Sequence, residues 1–242
     1  MKLKLTIAAS VSAMLLGGLA MAEDQYQAVR DAIGSLAPDA QITDMREAVI
    51  PGMVEVSLGG QVVFVTEDGR YLVQGTVFDI ERRVDVTEER KASGRAEVIA
   101  GLDRAEMVSF PAPNEQHSLY VFTDIDCGYC RRMHQDIEGY MANGISIHYL
   151  GFPRAGVDSG SHEKLNSVWC ASDRQDAMTR AKAGESLPSA SCPTPVADQY
   201  QLGQELGVSG TPALVTSDGY LIPGYSPPDA LLQRLQAISS ND

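Results

Sequence analysis

Two cysteines that are separated by two residues, in Cys127-Gly128-Tyr129-Cys130, are the side chains of this sequence best suited to do chemistry. Thiol–disulfide exchange needs a thiolate that attacks a disulfide and a second thiol close enough to resolve the mixed disulfide that forms. At the first turn of a helix, the unpaired N–H groups and the helix dipole favour the thiolate. The motif therefore predicts a redox site in which Cys127 is the exposed nucleophile and Cys130 is the resolving thiol.

Charged side chains flank this motif on both sides. Arg131 and Arg132 follow it and favour a thiolate, whereas Asp124 and Asp126 precede it and oppose one. On balance we expect a lowered pKa for the nucleophile. The alternatives for such a pair are half of a zinc site or an inert local disulfide, and a zinc ribbon would need a second closely spaced cysteine pair, which the sequence lacks.

The N-terminus has the pattern of a cleavable secretory signal. Two lysines give a positive start, an apolar run follows from Leu5 to Leu19, and Ala20-Met21-Ala22 supplies small residues at a cleavage position. The alternative is an uncleaved membrane anchor, but the apolar run is shorter than the roughly twenty residues that a spanning helix needs. We therefore expect an exported mature chain that begins near Glu23.

The remaining cysteines and the charge balance fit an exported protein. Cys170 and Cys192 are predicted to form a structural disulfide, since disulfides persist outside the cytoplasm; two buried free thiols are the alternative. Loss of Lys2 and Lys4 with the signal leaves 17 basic residues against 32 acidic ones, a net charge of −15. Such a surface repels phosphate backbones, so nucleic-acid binding is not expected.

No cofactor and no metal site are predicted. The sequence has no Gly-rich nucleotide-binding loop, and the histidines show no metal-ligand spacing. His134 lies near the motif but off the apolar helix stripe that follows it, so we expect a surface residue. Thr211-Pro212 precedes an apolar run, and an ordinary trans proline that opens a strand is the simpler local interpretation, although a cis peptide is tolerated at such a bond.

A strand leads into the motif and a helix leads away from it. The run from Leu119 to Ile125 is rich in β-forming residues, and Met133, Ile137 and Met141 then repeat every four residues, as on the buried face of a helix. The other elements predicted for this half are a strand over 145–152, helices over 161–183, 196–206 and 229–238, and a hairpin of 213–215 with 220–222. This order predicts an α/β domain with one helical interruption.

The N-terminal part predicts a small β-meander behind a short helix. The helix covers 26–36, and the strands cover 53–58, 61–65 and 71–73. The last two strands meet at Asp68-Gly69, which favours a hairpin. A core this small is marginal, so we expect a partner surface, most simply a second copy of the chain. A mostly polar helix from Val86 to about Arg104, with Asp85 or Thr87 as N-cap, is predicted to act as a spacer.

Several segments resemble the DsbC family of bacterial periplasmic disulfide isomerases. The strand Val121-Phe122-Thr123-Asp124-Ile125 ahead of the Gly-Tyr form of CxxC carries the similarity, together with Thr211 before Pro212. Further matching segments are Phe152-Pro153-Arg154, Trp169-Cys170, Ser191-Cys192, the stretch 207–213 and Pro223-Gly224-Tyr225. The resemblance covers the mature chain, more loosely in its N-terminal part.

The resemblance implies a domain organisation that the spacing of residues does not show. After a signal peptide over 1–22, it implies a small α+β dimerisation domain over 23–83 and a linker helix over 84–104. A thioredoxin-like catalytic domain with a helical insertion would follow over 105–242. Two such chains would form a homodimer whose catalytic domains face each other across an uncharged cleft that holds misfolded protein.

For the site, the resemblance implies that Cys127 attacks wrong disulfides and that Pro212 is cis beside it. The implied substrate-binding residues are Gly128, Tyr129, Thr211 and Pro212. Cys170 and Cys192 would be the second disulfide. Asp126 departs from the neutral residue that is usual before the motif.

The implied function is that of a periplasmic protein disulfide isomerase with chaperone-like binding of misfolded protein. Its partners would be misfolded disulfide-containing exported proteins and a DsbD-like membrane thiol reductant that keeps the cysteines reduced. The alternatives are a dithiol oxidase or a sulfenic-acid reductase of the same fold, and a holdase chaperone in which the thiols are secondary. The Gly-Tyr dipeptide inside the motif favours the isomerase.

Overall fold

The computed structural model of this protein describes residues 25–58 and 60–239, which divide into two units between Gly75 and Thr76. Each unit has its own hydrophobic core. The predicted signal lies outside the described residues. No helix within them is both long enough and apolar enough to cross a bilayer.

The N-terminal unit is one helix on a four-stranded antiparallel sheet. Its elements are α1 (Gln27–Leu36), β1 (Ile42–Glu47), β2 (Met53–Leu58), β3 (Gln61–Thr66) and β4 (Leu72–Val73), with the strands in the order β1-β2-β3-β4. Val29 and Ile33, one helical turn apart, pack on the valines of β2 and β3. The predicted hairpin at Asp68-Gly69 is confirmed, and Gly69 has the positive φ of 71° that favours glycine.

Strand β1 has no counterpart in the sequence-based prediction. Its sequence, Ile-Thr-Asp-Met-Arg-Glu, is largely polar, and none of its residues is fully buried. Pairing with β2 along its length holds it in the sheet, so tertiary hydrogen bonding rather than local preference determines this strand.

The second unit begins with a short hairpin and a long helix. The hairpin pairs β5 (Phe78–Asp79) with β6 (Val84–Asp85), and α2 (Val86–Ala100) follows at once. Asp85 caps the helix by accepting the Glu88 backbone N–H, as expected for one of the two N-cap candidates. The other candidate, Thr87, instead accepts the Val77 N–H through its hydroxyl.

Helix α2 packs against the rest of its unit along one face. Its Arg95 is buried and donates hydrogen bonds to the carbonyls of Leu206 and Gly219, at 3.0 and 3.2 Å, while pairing with Glu88. A Cβ at Gly219 would overlap the Ala92 carbonyl, so this glycine permits the close approach. The sequence did not reveal this packing, because the buried face of the helix includes an arginine, which a hydrophobic pattern does not detect.

A five-stranded sheet forms the centre of the second unit. Its strands are β7 (Val108–Phe110), β8 (His117–Thr123), β9 (Ile145–Gly151), β10 (Ala213–Thr216) and β11 (Leu221–Pro223), in the order β11-β10-β8-β9-β7. Only β8 and β9 pair in parallel. Leu119 and Val121 enter the core on one face of β8, and Tyr120 and Phe122 enter the core on the other, so both faces must be covered.

Helices cover both faces of this sheet, which confirms the predicted α/β domain. They are α3 (Gly128–Gln135), α4 (Ile137–Ala142), α5 (Gly160–Trp169), α6 (Arg174–Ala183), α7 (Val196–Glu205) and α8 (Pro228–Ser239). The helix predicted over 161–183 is interrupted, because Asp173 accepts the Asp176 N–H and starts α6 as a new helix. The apolar stripe after the motif likewise spans two helices, which meet at Asp136.

Candidate active site

The CxxC motif lies where β8 gives way to α3. Cys127 is the N-cap residue of α3, with extended backbone angles, and Cys130 lies in the first helical turn. Neither has a disulfide partner. The two central residues of the motif are exposed, and the Tyr129 side chain most of all, at 68 %. The helix-start geometry predicted from the sequence is therefore present.

Cys127 is less accessible than the sequence suggested. It is only 3 % exposed, against 1 % for Cys130. The loop before β10 covers it, and the Cys127 Sγ lies 3.2 Å from the Thr211 carbonyl oxygen. The expectation of an exposed nucleophile was wrong, because position in a helix says nothing of a loop that comes from a distant part of the chain.

The pKa values of the two thiols are shifted in opposite directions. A hydrogen bond from the Cys130 thiol is the main cause that lowers the pKa of Cys127 to about 5, against the effect of burial. The Thr211 hydroxyl is the next group that lowers it, and this buried oxygen has no hydrogen-bond partner within 25–58 and 60–239. Burial, and the hydrogen bond to Cys127, raise the pKa of Cys130 well above its ordinary value.

Arg154 is a cation that acts on Cys127, and its role was not identified from the sequence. The charge of Arg154 also lowers the pKa of Cys127. Arg154 is itself paired with Asp124, with its Nε 3.5 Å from a carboxylate oxygen. The arginines next to the motif are likewise engaged with carboxylates, Arg131 with Asp126 at 3.4 Å and Arg132 with Asp136 at 3.7 Å. Arg154 reaches the site because Phe152 N donates to the Thr123 carbonyl at 2.8 Å, which joins the ends of β9 and β8.

The aspartates that precede the motif have separate roles in the structure. The buried Asp124 carboxylate accepts hydrogen bonds from the Ser161 hydroxyl and from the backbone N–H groups of Arg154 and Asp126, at 2.5 to 2.8 Å. Burial raises the pKa of Asp124, but these hydrogen bonds outweigh it and keep the pKa below its ordinary value. Asp126 is partly exposed and pairs with Lys164 at 2.7 Å, which offsets its negative charge.

The structure brings Thr211 and Pro212 to the motif. The Thr211–Pro212 peptide is cis, where the local sequence alone favoured trans. The backbone of Pro212 is held in place because its carbonyl accepts a hydrogen bond from the Gly224 N–H at 2.8 Å. Thr211 therefore lies against the Cys127 sulfur with Pro212 next to it in the chain, and Gly128 and Tyr129 lie between the two cysteines.

The remaining predicted residues lie away from the exchange chemistry. A disulfide with an S–S distance of 2.02 Å joins Cys170, after α5, to Cys192, before α7. Within the described ranges, no group of three or more potential ligand side chains could hold a metal ion.

His134 is buried, which corrects the expectation of a surface residue. Its ring nitrogens contact the Tyr149 hydroxyl at 3.1 Å and the Thr179 hydroxyl at 3.0 Å. Burial lowers the pKa of His134 to about 4, so the ring is neutral at physiological pH. Thr179 belongs to α6, so the packing of this distant helix over α3 determines the burial, and the α3 stripe alone could not reveal it.

Comparisons with known proteins agree with this geometry. Residues 104–239 match the model of a thioredoxin-like domain family, and residues 20–88 match the disulfide bond isomerase protein N-terminal domain. The thiol:disulfide interchange protein DsbC of Salmonella typhimurium is 39 % identical over 218 residues, covering 89 % of this chain and 88 % of the relative. The DsbC of Escherichia coli is 38 % identical and covers 90 % and 89 %.

A solved structure supports the fold of the second unit. The thiol-disulfide exchange protein alpha-DsbA2 from Wolbachia pipientis aligns with a TM-score of 0.50 over 64 % of this chain and all of that one. Its sequence identity is 16 %, so the similarity concerns the fold alone.

The unequal acidity of the thiols can be measured directly. In the reduced protein, thiolate absorbance at 240 nm should titrate with a midpoint near pH 5, from Cys127 alone. Cys130→Ala should raise this midpoint, because it removes the largest source of thiolate stabilisation, and Thr211→Val should raise it less. A wild-type midpoint near the ordinary value of 9.0, or no change in Cys130→Ala, would contradict this assignment.

Proposed function

Because the chain belongs to the family of DsbC thiol:disulfide interchange proteins, we propose that it is a protein disulfide isomerase in which Cys127 attacks and Cys130 resolves. The observation that carries the assignment of roles is the split in acidity between the two thiols. A cysteine with a pKa of about 5 is a thiolate at neutral pH, whereas its raised-pKa neighbour stays protonated and donates a hydrogen bond to it. Only the first is ready to attack.

The reaction proceeds by two exchange steps whose atoms and charges balance. The Cys127 thiolate attacks one sulfur of a non-native disulfide, and the other substrate sulfur leaves as a thiolate. In isomerisation, a second substrate thiolate attacks the mixed disulfide, so that a new substrate disulfide forms and Cys127 is released. When no such thiol is in reach, Cys130 attacks Cys127 instead, which frees a reduced substrate and leaves a Cys127–Cys130 disulfide.

The second outcome requires an external reductant. An oxidised pair cannot begin another cycle, so we propose that a membrane thiol reductant of the DsbD kind returns Cys127 and Cys130 to the dithiol. The charge at Asp126 is compatible with a stable thiolate because Lys164 and Arg131 both pair with it.

Substrate contacts are proposed for the residues around Cys127. Tyr129 offers an exposed aromatic surface, and Gly128 has no side chain, with nothing within 4 Å of the place where a Cβ would lie. Thr211 lies against the Cys127 sulfur, with the cis Pro212 next to it in the chain. A misfolded exported protein with wrong disulfides would present its sulfur to Cys127 beside these residues.

We propose that the protein works in the periplasm after cleavage of the signal over 1–22. The Cys170–Cys192 disulfide supports this location, because structural disulfides persist in oxidising compartments.

We further propose a homodimer in which residues 23–83 dimerise and 84–104 link to the catalytic domain. Strand β4 lies at the edge of its sheet, and Tyr71, Leu72 and Val73 are exposed apolar side chains there. An apolar edge strand favours pairing with another chain. Two catalytic domains held together could bind one misfolded chain, which would account for chaperone-like binding.

The attacking and resolving roles predict different trapping behaviour. Cys130→Ala should accumulate mixed disulfides between Cys127 and a scrambled protein substrate, because resolution is blocked. Cys127→Ala should accumulate none, since Cys130 stays a protonated, buried thiol. Non-reducing gels and mass spectrometry measure the adducts. The Cys170–Cys192 disulfide is present in both variants and serves as an internal control. Adducts that form only in Cys127→Ala would reverse the assignment.

The proposed dimer edge can be tested without removing a domain. Tyr71→Glu with Val73→Glu should convert a dimer into a single chain by light scattering, because each buried unpaired carboxylate costs on the order of 2 kcal/mol or more. Isomerisation of scrambled substrate should fall, while simple dithiol exchange persists. Leu36→Glu, another exposed apolar position of the same unit, is the matched control. A wild-type single chain, or an undiminished dimer in the double variant, would refute the proposal.

A further inference from the structure

A buried lysine lies near the active-site cysteines and has no part in the exchange reaction proposed for Cys127 and Cys130. Lys182, near the end of α6, is 2 % exposed. Its Nζ donates hydrogen bonds to the Thr123 hydroxyl at 2.7 Å and to the Asp124 carbonyl at 2.8 Å. In the part of the chain that the structure describes, no carboxylate oxygen lies within 4.0 Å of this nitrogen.

A buried ammonium without a counter-ion is costly, so the amine is poised to lose its proton. Burial lowers the pKa of Lys182 to about 8. A neutral amine has two N–H donors and one lone pair. The Asp124 carbonyl can accept one N–H, and the lone pair can accept from the Thr123 hydroxyl, so that a proton can arrive through this hydroxyl. Such a group can accept and return a proton near physiological pH.

Cys130 is the acidic group that this amine faces. The Lys182 charge and the Thr123 hydroxyl both act on the Cys130 thiol and favour its thiolate, and this same hydroxyl is 2.7 Å from the Lys182 Nζ. The other charged or titratable groups around Lys182 are Cys127, Asp124, Arg131, His134 and the ring of Tyr149. His134 is neutral, and the Asp124 carboxylate is fully engaged with its own donors.

We propose that Lys182, acting through the Thr123 hydroxyl, takes the proton of Cys130 when Cys130 resolves a mixed disulfide. The inference rests on the proposed function, because it assigns resolution to Cys130. It explains how a deeply buried thiol whose proton is held tightly can become a nucleophile. Lys182 needs no contact with the substrate; it positions a proton.

The step balances in both directions. The Cys130 proton passes to the neutral amine, and the Cys130 thiolate attacks the Cys127 sulfur. The Cys127–Cys130 bond forms as the bond from Cys127 to the substrate sulfur breaks, and the substrate leaves as a thiolate that water protonates. The pair is then oxidised and the substrate disulfide reduced. When a reductant opens the pair again, Cys130 leaves as a thiolate and recovers the proton from the Lys182 ammonium.

The test is a single turnover of the reduced full-length protein with oxidised glutathione, acid-quenched and followed by mass spectrometry between pH 6 and 10. Formation of the Cys127–glutathione adduct reports attack, and its decay to the internal disulfide reports resolution. In Lys182→Met, attack should keep the wild-type rate, whereas resolution at pH 7 should slow on the order of 10²-fold. Wild-type resolution should level off above about pH 8, and that of the variant should continue to rise.

Two further variants make the result specific. Arg180→Met removes a cation from the same helix, but one whose side chain is 44 % exposed and paired with Asp176 and Glu185, and it should resolve like the wild type. Thr123→Val removes the relay hydroxyl and should show the same alkaline dependence as Lys182→Met, whereas Thr123→Ser should not. If Lys182→Met does not fold, as judged by loss of the native near-ultraviolet circular dichroism spectrum, the Thr123→Val variant tests the proposal in its place.

A wild-type rate and pH profile of resolution in folded Lys182→Met or in Thr123→Val would overturn the proposal. Absence of both the glutathione adduct and the Cys127–Cys130 disulfide in the wild type would instead contradict the proposed function, so the two failures are distinguishable.

Discussion

The hydrogen bond between two thiols one helical turn apart is the interaction on which the rest of the site depends. It makes Cys127 a thiolate by keeping the proton on Cys130, so a single contact determines which sulfur attacks and which waits. The contact requires a helix that begins at Cys127, and that helix begins there because β8 ends at Thr123 and Asp124 fixes the intervening turn. The end of β8 thus determines where the helix begins and, through the helix, which of the two thiols reacts.

The central sheet supplies the other groups from distant parts of the chain. The parallel pairing of β8 with β9 brings Arg154 beside the motif, and the antiparallel pairing of β8 with β10 brings Thr211. Both strands are buried on two faces, so their register is fixed by packing as well as by hydrogen bonds. The same burial lowers the local dielectric constant around the sulfurs, which strengthens the electrostatic interactions of nearby charges with them.

The sequence predicted the redox motif and its strand–helix setting, but not the side chains and loops that surround the two cysteines. The CxxC spacing, the strand before it and the helix after it are local, and they predicted the motif and the α/β domain. The burial of Cys127, His134 and Lys182 depends on the Thr211 loop and on α6, which no local pattern describes. Strand β1 was missed for the same reason, since its polar residues form a strand only because β2 is available to pair with them.

An isomerase site rearranges substrate disulfides without consuming them. A small amount of reduced protein is given to an excess of scrambled ribonuclease, with no other redox reagent, and both native ribonuclease activity and the redox state of Cys127 and Cys130 are measured. The isomerase assignment predicts that ribonuclease activity returns over many turnovers while the Cys127–Cys130 pair stays reduced. Loss of substrate disulfides in proportion to the oxidised Cys127–Cys130 pair, without recovery of activity, would contradict it.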